Sequence, residues 1–164
     1  MSSLQRDISI DARPDEVWAA VRDFGAVHRR LAPGFVLDAH LDGEARVVTF
    51  ANGNVVRELL VDCDDTRQRL VYAVISERVK HYNASVQIVA DGEARSRLIW
   101  IVDLLPNEIA PYIAGQMDQA AAAMKKALDR GSAQDSRLLD DAGQGGTDLR
   151  DTARLRSPSR QDNA

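Results

Sequence analysis

The sequence predicts an α+β domain in which a strongly curved, seven-stranded antiparallel sheet wraps a long C-terminal helix, in the order β-α-α-β-β-β-β-β-β-α. Three observations carry this. From Phe35 to Leu105 apolar residues recur with period two, interrupted at Asp42-Gly43, Asn52-Gly53, Asp64-Asp65 and Asp91-Gly92 by turn residues too closely spaced for anything except hairpins. A short alternating segment and a proline-initiated helical pattern precede that stretch, and one sustained helical stripe follows it. At 164 residues, 45% hydrophobic and 28% charged, the chain suffices for one compact domain with a little left over, not for two.

Leu4, Ile8 and Ile10 alternate with polar neighbours, the signature of a half-buried first strand. Pro14-Asp15-Glu16 then opens a helix, because proline in the first turn gives up no needed N–H and acids suit the positive end of the dipole. Val17, Trp18, Val21 and Phe24 follow at helical spacing, Gly25 breaks the helix, and Ala26 to Leu31 make a second short one before Pro33-Gly34. Six strands come next, over approximately Phe35–Leu41, Ala45–Phe50, Val55–Asp62, Gln68–Ser76, Lys80–Ala90 and Arg95–Leu105. Beyond Pro106, Asn107 is the expected cap of a helix whose Ile109, Ile113, Met117, Ala120, Met124 and Leu128 form one apolar face. Gly131 is the expected stop. The sequence thus divides into a domain over 1–131 and a polar segment over 132–164, expected to be disordered because its few leucines cannot offset the entropy of ordering.

Composition removes several function classes. A formal charge of −4 offers no basic field for nucleic acid or an anionic membrane surface. No apolar run reaches the roughly 20 residues of a membrane span, and the residues from Met1 to Asp7 lack a signal-peptide core, so a cytoplasmic location without membrane insertion is expected. Cys63 stands alone, which leaves neither a disulfide nor a cysteine-based zinc site within one chain. His28, His40 and His81 are scattered, and Ser76, Ser85 and Ser96 lack a matching triad pattern. With no phosphate-cradling loop either, no cofactor or metal is expected.

Alternation assigns the side chains that face the long helix. Phe35, Leu37, Ala39 and Leu41 form the first inward row, and Val48 and Phe50 lie on the next strand. Leu70, Tyr72, Val74 and Ser76, then Tyr82, Ala84, Val86 and Ile88, then Ser96, Leu98, Trp100, Val102 and Leu104 complete the set. The row is apolar with a few hydroxyl and indole groups, the usual lining of a small-molecule pocket. The helix is thin where it should fill the grip, at Gly115 and Ala120 to Ala123, so either the sheet closes on it or a space remains. If a space remains, Phe35, Leu37, Val48, Phe50, Tyr72, Tyr82 and Trp100 from the sheet and Ile113, Met117, Ala120 and Met124 from the helix are its candidate ligand contacts.

Glu58 is the candidate of most chemical interest, and its facing depends on one turn. A three-residue Ala51-Asn52-Gly53 loop pairs Phe50 with Asn54 and puts Arg46, Val48, Val56 and Glu58 on one face, whereas a two-residue Asn52-Gly53 loop sends Glu58 to the other side. The residues allow both. Inward, Glu58 needs Arg46 as a partner or suffers a large desolvation cost; outward, the pair is a surface ion pair of little value.

Several local runs, in this order, resemble the START-like helix-grip superfamily of polyketide cyclase/dehydrase and lipid-transport proteins. They are Ile10-Asp11-Ala12-Arg13-Pro14-Asp15-Glu16-Val17-Trp18 with Asp23-Phe24, Ala45 to Gly53, Arg57-Glu58-Leu59-Leu60, Leu70-Val71-Tyr72, Tyr82, and Leu98-Ile99-Trp100 with Pro106. The resemblance covers roughly Leu4 to Arg130 and implies a ligand cavity without naming the ligand. The stretch from Glu58 to Tyr82 is also similar to plant abscisic-acid receptors, in which the matching glutamate faces the pocket. That favours the three-residue loop, with Arg46 and Glu58 lining the cavity. Phe50 to Asn54 and Ser76 to Lys80 depart from the gate and latch of those receptors, so hormone-gated phosphatase inhibition does not carry over.

Three functions are consistent with these features. The first is a binding or carrier protein for a hydrophobic small molecule such as a lipid, polyketide or aromatic metabolite. The second is a polyketide cyclase/aromatase-like enzyme in which Glu58, Arg46 or Tyr72 helps enolise or dehydrate the bound chain. The third is a toxin or stress-response interaction protein. The first fits best, because an enzyme calls for titratable groups in divergent environments and Arg46 with Glu58 is the only candidate pair.

Overall fold

The computed structural model describes residues 1–143. Strands β1 (Ser2–Ile10), β2 (Val36–Asp42), β3 (Ala45–Phe50), β4 (Val55–Asp64), β5 (Arg69–Ile75), β6 (His81–Ala90) and β7 (Ser96–Leu105) form one sheet. Its order is β1-β7-β6-β5-β4-β3-β2, antiparallel throughout. Helix α1 (Pro14–Arg22), a 3-10 turn (Phe24–Ala26) and α2 (Val27–Arg30) lie between β1 and β2, and α3 (Ala110–Gly143) follows β7. This is the helix-grip arrangement, a curled open sheet holding a long C-terminal helix.

The N-terminal helix starts as its sequence dictates. Pro14 occupies the first turn and the Arg13 N–H donates to Glu16 Oε2 at 3.2 Å, satisfying a backbone donor that the helix leaves unpaired. Val17, Trp18, Ala20 and Val21 turn inward. The Trp18 indole N–H donates to Asp65 Oδ1 at 2.9 Å, which ties α1 to the β4–β5 turn.

Helix α3 lies against β1. Four polar links fasten it there: Arg6 to Asp118 at 2.5 Å and to the Ala114 carbonyl at 3.3 Å, Lys125 Nζ to the Ser9 carbonyl at 2.8 Å, and the Asp11 N–H to Asp129 Oδ1 at 2.8 Å. Met117, Ala120, Met124 and Leu128 are buried, as their helical spacing requires. On the facing strands Ile10, Leu98, Val102 and Leu104 have no exposure at all.

Two helix boundaries differ from expectation. Asn107 is not the cap of α3: it begins a 3-10 turn (Asn107–Ile109), and its side-chain oxygen accepts from Ser2 Oγ at 3.2 Å. Gly131 does not end α3, which continues to Gly143. The glycines with positive φ are Gly34, Gly43, Gly53 and Gly92, so Gly131 does not adopt the left-handed geometry of a terminating glycine. A glycine inside a helix costs only about 1 kcal/mol relative to alanine, and Ala133, Gln134 and Arg137 to Leu139 are good helix formers with no proline among them. Of the segment 132–164 expected to be disordered, residues 132–143 are described as the continuation of α3, and 144–164 lie outside the described residues. No helix among the described residues is long and apolar enough to cross a membrane.

Candidate ligand cavity

The β3–β4 hairpin decides what faces the helix. Gly53 has φ 85°, the Phe50 N–H donates to the Asn54 carbonyl at 2.9 Å and the Gly53 N–H to the Phe50 carbonyl at 2.9 Å. This is the three-residue loop with glycine in the left-handed position. Val48 then opposes Val56 and Arg46 opposes Glu58, and both charged side chains turn inward, each 6% exposed.

Between α3 and the sheet, mainly its β2–β5 half but with Tyr82 and Val86 of β6 and Trp100 of β7 in the wall, lies a cavity of about 640 Å³, well within the range of small-molecule sites. Phe35 just before β2 and Val48, Phe50, Tyr72, Tyr82 and Trp100 of the sheet line it on one side, and Ile113, Met117, Ala120 and Met124 line it from α3. Phe35 and Phe50 meet edge to face with ring centroids 5.5 Å apart, a favourable aromatic geometry.

Leu37 corrects the inward row. The β2–β3 register shifts between Val36 and Asp38, and the extra residue of this bulge reverses the alternation. Val36 therefore turns inward at 3% exposure and lines the cavity, while Leu37 turns out at 59%. Leu41 is likewise exposed, at the sheet edge beside Gly25. Gly115 is exposed too, so the thinness of α3 toward the cavity comes from Ala120.

Residues that pattern reading missed close the two ends. Val21 of α1 with Val27, Leu31 and Ala32 of the α2 region form the inner end; a four-residue helix carries too little periodicity to announce its inward face. The mouth lies at the β3–β4 tip, the segment around Ser76 to Val79, and the start of α3. There the Asn52 side-chain amide donates to Tyr112 Oη and Gln116 Oε1, each at 3.2 Å, and the Asn54 amide donates to Tyr112 Oη at 3.3 Å. Tyr112 and Gln116 at i, i+4 on α3 were the available signal, but nothing in the sequence couples them to a turn 60 positions away.

The polar cluster in the wall centres on Arg46. Its Nε donates to Glu58 Oε2 at 2.6 Å and its Nη1 to the Phe24 carbonyl at 3.1 Å. The guanidinium carbon sits 4.1 Å from the centroid of the Phe24 ring and 5.3 Å from that of Tyr72, within cation–π range of both. Burial, and after it the charge of Glu58, push the Tyr72 phenol above its ordinary range, while Arg46 and the neighbouring Trp100 N–H oppose the shift. Burial likewise raises Tyr82, with Tyr72 and Glu58 adding to it. The Trp100 N–H is buried and does not reach hydrogen-bond geometry with any described residue, the Tyr72 oxygen included. No group of three His, Cys, Asp or Glu side chains among the described residues could hold a metal ion.

Comparison with known proteins agrees with this architecture. A family model for polyketide cyclase / dehydrase and lipid transport matches residues 1–134. No curated protein matches the chain. The protein XoxI from Bacillus cereus superposes with a TM-score of 0.71 at 19% identity, covering 83% of this chain and 99% of its own. A START superfamily protein from Mycobacterium smegmatis gives 0.64 at 13% identity over 80% of this chain and 97% of that one. Truncated norcoclaurine synthase from Thalictrum flavum gives 0.63 at 18% identity, over 76% of this chain and 91% of the enzyme. At these identities the likeness is one of fold.

Proposed function

Because the chain belongs to the polyketide cyclase / dehydrase and lipid transport family, we propose that it binds or carries a hydrophobic small molecule in the space between sheet and helix. The observation that carries this reading is the cavity of about 640 Å³, walled by Val, Leu, Phe, Met and Ala side chains with a small polar cluster at its inner part. An apolar space of that size costs the fold the dispersion contacts a filled core would make, and an occupant restores them. Phe35, Val36, Val48, Phe50, Ile113, Met117, Ala120 and Met124 are assigned to the body of the ligand, and Tyr72, Tyr82 and Trp100 to its polar end.

A catalytic reading, of the cyclase/aromatase kind, has one feature in its favour: Glu58 stands in the cavity wall. Its Oε2 is held by Arg46, and among the described residues no second carboxylate or histidine lines the space to complete an acid–base team. Binding without chemistry is therefore the better account.

Titration with the neutral fluorophore N-phenyl-1-naphthylamine tests the binding reading. Trp100 lines the cavity and Trp18 donates its N–H to Asp65 away from it, so saturable quenching of tryptophan emission that disappears in Trp100→Phe is the expected result. Absence of saturable binding by this probe and by a panel of lipids and aromatic ketones, in titration and native mass spectrometry, would refute it. If such a ketone is turned over and Glu58→Gln stops the turnover while the chain stays folded, the catalytic reading replaces it.

A further inference from the structure

We propose that the inner part of the cavity selects a ligand whose buried polar group is an uncharged hydrogen-bond acceptor, such as a ketone or ester oxygen, and rejects a carboxylate of the same shape. This inference rests on the binding reading above and names the chemistry that the bound molecule must present.

The first argument is an inventory of charge. Among the described residues four charged side chains line the cavity: Arg46, Arg57, Glu58 and Arg78. Arg57 is exposed and ion-paired with Asp42 on the outer side of the hairpin. Arg78 is exposed at the mouth. Arg46 is the one buried cation of the four, and it is already engaged by Glu58, by the Phe24 carbonyl and by the faces of two aromatic rings. An anion carried inward would meet Glu58 with no uncommitted positive charge to compensate it, and would lose its water as well. A cation would have to displace Arg46 from Glu58. Neither charge is matched, and this mismatch is what discriminates.

The second argument is an inventory of donors. The phenols of Tyr72 and Tyr82 line this space, and the buried Trp100 N–H beside Tyr72 has no hydrogen-bond partner among the described residues. Buried donors left without acceptors are costly. Burial and the charge of Glu58 both hold the two phenols in the protonated, donating form. A neutral carbonyl oxygen accepts from such donors without adding charge.

The test is displacement of N-phenyl-1-naphthylamine from the full chain by a matched pair, 2-acetylnaphthalene and 2-naphthoate, with naphthalene as the apolar reference. Arg78→Ala is present throughout so that the mouth offers no cation. We expect the ketone to bind more tightly than the carboxylate by at least about tenfold, a difference of about 1.4 kcal/mol. Any greasy cavity prefers the ketone, so the decisive arm adds Glu58→Gln, which leaves Arg46 uncompensated: the naphthoate should then gain about tenfold or more while the ketone changes little. Equal binding of ketone and carboxylate, or a preference that ignores Glu58→Gln, overturns the proposal. Should that variant fail to fold, the double change Tyr72→Phe with Tyr82→Phe decides, since it should lower the ketone's advantage over naphthalene several-fold; an unchanged ratio overturns the proposal equally. If neither the fluorophore nor any member of the set binds, the binding reading itself has failed, and this inference falls with it.

Discussion

The two halves of the sheet meet the same helix differently. On one side β1 and, apart from Trp100, β7 pack solidly: Leu98, Val102 and Leu104 have no exposure, and α3 is fastened to β1 and the Asp11 that follows it through Asp118, Lys125 and Asp129. Strand β6 is shared, with Tyr82 and Val86 on the cavity wall. On the other side β2 to β5 curl away from the helix, Phe50 and Leu60 are only partly buried, Val55 and Ile75 are exposed at the mouth, and the cavity occupies the interval. Polar links pin the helix to the closed side, so its apolar face cannot settle onto the far strands. Bulges after Val36 and after Leu60 bend those strands further, since an extra residue kinks its strand and increases local twist. Stability and vacancy are thus assigned to separate parts of one sheet.

The largest effect that bears on this contrast concerns the charge pair on the open side. Arg46→Met leaves Glu58 buried without its partner and should cost about 3–5 kcal/mol, whereas Arg46→Met combined with Glu58→Leu should recover most of that loss. Chemical denaturation of both variants measures it. A single substitution that costs nothing would mean that solvent reaches the pair and that the open side is open to its floor.

Next in size is a direct comparison of the halves. Leu98→Ala, at a fully buried position, should destabilise by about 2–5 kcal/mol. Ile113→Ala, on the partly buried cavity wall, should cost about 1 kcal/mol, because few of its contacts are replaced by a new void. The same denaturation curves give both values. Equal losses would remove the distinction between the halves.

The smallest effect concerns the fastening of α3. The Arg6 guanidinium beside it holds the Asp118 carboxyl below the usual carboxylate range. A depressed folded-state pKa contributes stability that is present above the unfolded value, about 3.9, and is lost as pH falls through the folded one. Asp118→Asn should therefore lower the melting temperature slightly at pH 7, and the gap to the unaltered protein should begin to close below about pH 4. Thermal scans from neutral to acid pH check this, and a gap that widens in acid would show that the link does not hold the helix.

What could be read in advance follows the same division. Rows with unbroken alternation, such as Leu70 and Tyr72 or Leu98, Trp100 and Val102, identify their inward face unaided, because each hairpin partner repeats the period. Leu37 misleads because a bulge leaves no mark in the hydrophobic pattern. Glu58 was ambiguous for a related reason: Ala51-Asn52-Gly53 suits two loop lengths, and only the pairing of Phe50 with Asn54 chooses between them. The inner wall from Val27, Leu31 and Ala32 and the tie between Asn52 and Tyr112 depend on tertiary approach, which local chemistry does not encode. Gly131 shows the limit of reading a residue type without its φ.

Filling the space is the most direct measurement. Ala120 is 1% exposed and lies on the cavity wall, so Ala120→Phe places a ring into whatever volume exists there. The account expects a folded chain of undiminished melting temperature that no longer binds N-phenyl-1-naphthylamine. A loss of about 1–3 kcal/mol, the penalty for overpacking a filled core, together with unchanged binding of the fluorophore, would contradict it.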